Sequence, residues 1–127
     1  SDRRDRRLNR IMTKILFFRR DGIFYGFEET GHTGYGESGD DVLCAALSAM
    51  TMLIVNTVEI SYAGDIDYKI DDSTTRIRVE SKCALPEFEE DEKKRFAISG
   101  LFQGYYYQLN DLVEEYYDYL EVDITDE

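Results

Sequence analysis

His32 is the only histidine in the chain, and it stands twelve positions before Cys44, one of two cysteines. A thiolate is a strong nucleophile near neutral pH, and an adjacent imidazole can take its proton and later give it to a leaving amine. Together the two could therefore carry out acyl transfer, with Cys44 attacking a carbonyl carbon and His32 moving the proton. Asp41, three positions before Cys44, offers a third group. It either caps a helix start or orients the His32 ring as the third member of a triad. Gly31, Gly34, Gly36 and Gly39 punctuate this stretch. With Tyr35 they are the expected substrate-loop residues. Glycine permits positive φ and hinge motion at little steric cost, so such a loop can swing His32 over Cys44 and close over an extended peptide.

The bland reading of the same residues is structural. A lone histidine usually serves the fold, and a cysteine near an apolar helix face is usually a small core residue. The expected position of Cys44 favours chemistry. A helix starting near Asp40 or Asp41 puts Cys44 in its first turn, where the dipole lowers a thiol pKa from ~8.5 toward ~3.5–7.5. Backbone N–H groups of residues 42–44 would then be the expected oxyanion donors.

The loop also contains GYGESG, a literal G-x-G-x-x-G. A dinucleotide site needs this motif in a parallel βαβ unit, with a helix N-terminus aimed at the pyrophosphate. Here the preceding strand belongs to a hairpin, and the chain is short for a doubly wound sheet. Asp40 and Asp41 would also repel the phosphate, so this reading is set aside.

The elements that must position these residues follow from periodicity. Residues 13–19 and 23–29 read as strands about the Asp21-Gly22 turn, a tight-hairpin signal. Ile23, Tyr25 and Phe27 are expected on one face and Phe24 on the other. From Asp40 the sequence is apolar nearly all round as far as Gly64, which marks a helix buried on more than one side. Residues 66–70 and 75–81 alternate as a second hairpin. From Glu87 to Tyr119, the residues Ile98, Leu101, Phe102, Tyr105, Leu109, Leu112, Val113 and Tyr116 recur at three- and four-residue steps, and Leu120 follows in phase. Residues 122–125 read as a short last strand. The expected class is α+β, with two layers in the order ββ-α-ββ-α-(β): a mostly antiparallel sheet with two main helices.

The 127 residues fit one domain. Residues 1–11, with five Arg and two Asp, differ from the rest. They are expected to be a non-native or disordered leader, the alternative being a basic arm for nucleic acid, and residues 12–127 form the domain. Without the leader, ten basic and twenty-five acidic side chains leave a net charge of −15, against −12 for the whole chain. Such a body repels nucleic-acid backbones, so no direct nucleic-acid binding is expected. It attracts a basic protein segment, or serves solubility alone. No uninterrupted apolar run reaches the ~18 residues of a membrane span, so no membrane partner is expected. With no secretory signal visible, a reducing cytoplasm is the default and a disulfide is not expected. Nothing has the paired Cys/His spacing of a zinc site.

Gly31-His32 followed by Gly39-Asp40-Asp41-Val42-Leu43-Cys44-Ala45-Ala46-Leu47-Ser48-Ala49 resembles the signature of the bacterial ribosomal-processing cysteine proteases (Prp-like). The likeness runs from Met12 onward. It implies a cytoplasmic, homodimeric endopeptidase that trims the N-terminal extension of large-subunit ribosomal protein twenty-seven after a Phe-Phe pair. It further implies that His32 and Cys44 are catalytic, with Asp41 supporting, and that no metal or organic cofactor is needed. Cys83 matches nothing catalytic and is expected to be structural. The rival reading is a non-catalytic dimeric module that binds a basic ribosomal-protein segment.

Overall fold

The structure, a computed structural model, describes residues 12–31 and 38–127, with residues 38–41 described by their backbone. The leader lies outside the described residues. The chain runs β1 (Thr13–Arg20), β2 (Ile23–Thr30), α1 (Ser38–Asn56), β3 (Asp67–Asp71), β4 (Arg76–Glu80), α2 (Glu92–Tyr116) and β5 (Leu120–Asp126). One five-stranded sheet has the order β3-β4-β2-β1-β5. All neighbours are antiparallel except β1 and β5, which run parallel. The α+β expectation holds, and the parallel pair is the addition.

The first hairpin turns on Asp21 (φ 51°) and Gly22 (φ 80°), the pair of positive φ angles that an Asp-Gly hairpin turn requires. Phe18 pairs with Gly26 and Arg19 with Phe24, leaving Tyr25 as the extra residue of a bulge. The bulge corrects the expected faces. Phe24 joins Phe27 on the helix side, where both pack on Phe17 at 6.1 and 5.6 Å between ring centroids. Tyr25 turns outward to Phe18. On that outer side the Arg78 guanidinium lies 4.6 Å from the Phe18 ring centroid, and the Tyr25 hydroxyl donates to Glu127 at 2.6 Å.

Gly26 lies where β2 meets β4. A Cβ there would sit 2.6 Å from the Glu80 Cβ and 2.7 Å from the Val79 carbonyl oxygen. Neither neighbour is a flexible side-chain tip, so Gly26→Ala must push two strands apart. We expect a loss of about 1–3 kcal/mol, read as a lower urea midpoint. An unchanged midpoint would show that the sheet yields there freely.

Helix α1 starts at Ser38, earlier than expected, and passes into a π-helical turn over Thr57–Ser61. It ends as expected near Gly64, whose N–H donates to the Val58 carbonyl at 2.8 Å. A Cβ on Gly64 would meet Val58 and Ile98 at 3.1 Å. Val42–Ser61 is long and apolar enough, by length and composition, to cross a membrane, against the expectation that no apolar run reaches that length. Its average passes that test although Ser48, Thr51 and Asn56 interrupt it. Leu43, Leu47, Ile54 and Val58 are buried in the domain core, as befits a core helix.

Helix α2 begins at Glu92 instead of near Glu87, because Asp91 caps it by accepting from the Lys93 and Lys94 N–H groups. It buries Ile98, Phe102, Tyr105 and Leu109. The helix stops at Tyr116. Leu120, in phase with the helical stripe, instead begins β5 and pairs with Thr13.

Candidate active site

Helix α1 carries Cys44. Its residues Leu43, Cys44, Leu47, Thr51, Ile54, Val55 and Val58 are buried, and their three- and four-residue steps form one stripe turned into the core. Cys44 therefore lies at the edge of the core stripe, 9% exposed. Seven residues bring a helix back to nearly the same direction, so Thr51 lies on the Cys44 face about 10 Å further along.

The early helix start corrects four expectations. Cys44 is the seventh residue of α1 and stands in the second turn. The dipole acts mainly over the first turn, so the helix supplies position to the thiol more than charge. Asp41 is the fourth helical residue and no N-cap; a carboxylate in that first turn still complements the positive end of the helix dipole. The N–H groups of residues 42–44 lie inside the helix, where they bond to carbonyls four residues back. The orphan donors of a helix lie ahead of these groups, at the start of its first turn. Gly39 likewise belongs to α1 and not to the loop.

His32, Gly34, Tyr35 and Gly36 lie outside the described residues. Gly31, the last described residue before them, has φ 79°, a conformation that favours glycine. Cys83 lies in a single 3-10 turn, Lys82–Ala84, and is as buried as Cys44. Both cysteines are thiols. Among the described residues no group of three or more His, Cys, Asp or Glu side chains is placed to hold a metal ion.

The residue that sequence reasoning missed is Glu29. It is 1% exposed, at the end of β2 and two positions before Gly31. Its Oε1 accepts from the Tyr105 hydroxyl at 2.8 Å and the Thr51 hydroxyl at 3.3 Å. Burial pushes its carboxyl up to about 7, while the two hydrogen bonds pull the other way. Burial also holds the Tyr105 phenol well above its usual range, so Tyr105 remains a donor across ordinary pH. Between the helices, Met50, Leu53, Ile54, Leu101, Tyr105 and Gln108 line an apolar groove of about 280 Å³.

A cysteine carried on the core helix of a small α+β domain, just after a glycine-rich segment with the only histidine, is a residue pattern compatible with a thiol-dependent hydrolase. The chain belongs to the family described as Cysteine protease Prp, whose model matches residues 12–121. No curated protein matches it. Among solved structures, SMU.848 from Streptococcus mutans is 27% identical, with 91% of this chain and 99% of that one covered and a TM-score of 0.75. The ribosomal processing protease Prp from S. aureus in complex with a substrate peptide is 20% identical, with 90% and 100% covered and a TM-score of 0.72. The same protease with a covalently linked product peptide is 21% identical, with 90% and 100% covered and a TM-score of 0.69. The chain is thus a cysteine protease, and its fold is that of the S. aureus enzyme.

Proposed function

We propose that this protease removes the N-terminal extension of the bacterial large-subunit ribosomal protein twenty-seven precursor in the cytoplasm, cutting after a Phe-Phe pair. The observation that carries the reading is the family match across residues 12–121, which spans the His32-to-Cys44 segment. The S. aureus relative of the same fold is a ribosomal processing enzyme that holds a substrate peptide.

In this reading Cys44 and His32 are catalytic and Asp41 supports His32. The Cys44 thiolate attacks the scissile carbonyl, and the tetrahedral intermediate collapses as His32 protonates the departing amine. Water, deprotonated by His32, then cleaves the thioester and restores the thiol. Gly31, Gly34, Tyr35 and Gly36 carry the peptide-binding segment. The net charge of −15 beyond the leader favours a basic ribosomal substrate over nucleic acid. The test is a peptide carrying Phe-Phe followed by a small residue, with the products weighed by mass spectrometry. A single cut after the second Phe is expected. A cut elsewhere, or none, would overturn the assigned specificity.

The enzyme acts as a homodimer in this proposal. Val42, Leu53 and Ile60 are 59%, 62% and 76% exposed along α1 and its π-helical extension, leaving an apolar strip that a second copy can cover across a two-fold axis. Light scattering at micromolar concentration is expected to give twice the chain mass. A clean monomer would contradict the assignment.

A further inference from the structure

Glu29 is a buried acid that the protease mechanism does not use. It projects from β2 toward the helix layer and is held by one hydroxyl from each helix: Thr51 of α1 and Tyr105 of α2. Its strand partners, Ile15 on β1 and Ile77 on β4, carry no charge. Among the described residues Tyr105 is thus the titratable group that meets it, and no basic side chain among them is paired with it.

The placement ties two parts of the site together. Thr51 shares its helix face with Cys44, two turns away. Glu29 is two residues from Gly31, after which the chain continues into His32. We propose that the Glu29–Thr51–Tyr105 cluster is a positioning device for the protease, fixing the exit of β2 at Gly31 against the α1 face that carries Cys44. The proposal rests on the catalytic reading of Cys44 and His32. Apolar packing around Phe17, Phe27 and Leu47 is non-directional, so it holds α1 on the sheet and constrains its slide along β2 through shape alone. Two hydrogen bonds converging on one carboxyl oxygen add a directional constraint, because each weakens steeply with misalignment. Catalysis is sensitive to such slide, since a displacement of about 1 Å can cost on the order of 10²-fold in rate.

The test measures cleavage of a Phe-Phe peptide by four variants at a temperature where circular dichroism shows each one folded. Glu29→Leu keeps the bulk and removes the acceptor. We expect kcat to fall by about tenfold or more with KM little changed. Glu29→Gln keeps an acceptor oxygen in place and should restore kcat to within about threefold. Tyr105→Phe and Thr51→Val each delete one hydroxyl and should lower kcat by several-fold, which keeps the proposal testable if Glu29→Leu does not fold. A purely structural cluster would lower the melting temperature and leave kcat alone. Wild-type kcat in Glu29→Leu or, should that variant not fold, in both hydroxyl variants would overturn the proposal while Cys44→Ala and His32→Ala are inactive. Cleavage by Cys44→Ala would overturn the catalytic reading, and the positioning role with it.

Discussion

Cys44→Ala should lose peptide cleavage by on the order of 10⁶-fold and still bind the Phe-Phe peptide, because the change removes a sulfur atom and leaves the acidic surface intact. His32→Ala should fall by a comparable factor, since groups that act as a unit are not additive and the chain has no other imidazole. Cys83→Ser should cleave at close to the wild-type rate. Iodoacetamide gives an independent reading. Cys44 and Cys83 have the same residue exposure, 9% each, so alkylation of the urea-unfolded chain, where both thiols are open, serves as the reference for any difference in rate. Cys44 is expected to react faster, and well below pH 8. In His32→Ala its advantage should vanish, because the second turn of α1 receives little of the helix dipole. Asp41→Asn discriminates further. As Asp41 is no N-cap, a rate loss beyond about tenfold exceeds what a charge near a helix start supplies, and would mark the residue as orienting His32. Wild-type cleavage by Cys44→Ala would end the thiol mechanism.

Glu29→Gln should stabilise the protein at pH 8 and leave it nearly unchanged at pH 5. The folded-state pKa of Glu29 is raised to about 7 from the ordinary 4.5. A raised value means that the folded state holds its proton more tightly than the unfolded chain does. The associated stability is fully present below the unfolded pKa and is lost as pH rises through the folded one. Between pH 4.5 and 7 the wild type is therefore expected to lose up to about 3 kcal/mol through this group, at 1.36 kcal/mol per pKa unit. Against a typical total of about 5–15 kcal/mol, that is a large fraction. Glutamine matches the protonated acid in shape and in its acceptor oxygen but does not titrate. Urea unfolding at several pH values should show the variant's advantage opening above about pH 5 and levelling off above about pH 7. A constant difference across that range would show that Glu29 ionises as freely when folded as when unfolded.

The elements were legible where one force decided them. Asp21-Gly22 specified its hairpin because few other residues accept two consecutive positive φ angles. The stripe Ile98, Phe102, Tyr105 and Leu109 specified α2 because all four point one way. Failures came where a local signal competed with a tertiary one. Period-two reading put Phe24 opposite Phe27, but the bulge at Tyr25 adds a residue and turns both rings inward. Leu120 fits the helical stripe and is claimed by the sheet through its pairing with Thr13. Asp40 and Asp41 look like caps, yet the helix begins before them. Glu29 was visible in principle, because it lies two residues beyond Phe27 on the inward face. A carboxylate at an inward position is a buried acid waiting for donors, and those donors come from residues 51 and 105, which no local pattern links to it. The motif linking His32 to Cys44 drew a chemical reading because both residue types are rare in this chain.

The parallel pairing of β1 with β5 has a consequence for the protein's own synthesis. Arg19 meets Asp126 across 107 residues, so β1 keeps one edge open after its hairpin with β2 has formed. At about 5–20 residues per second of translation, that edge waits roughly 5–20 s for its mate. During that interval it exposes a strand containing Ile15, Phe17 and Phe18 to any neighbouring nascent copy. An unpaired apolar edge is a template for mispairing. The lowest-cost error is the exchange of β5 between two chains on one message, which would give each the correct strand from the wrong molecule.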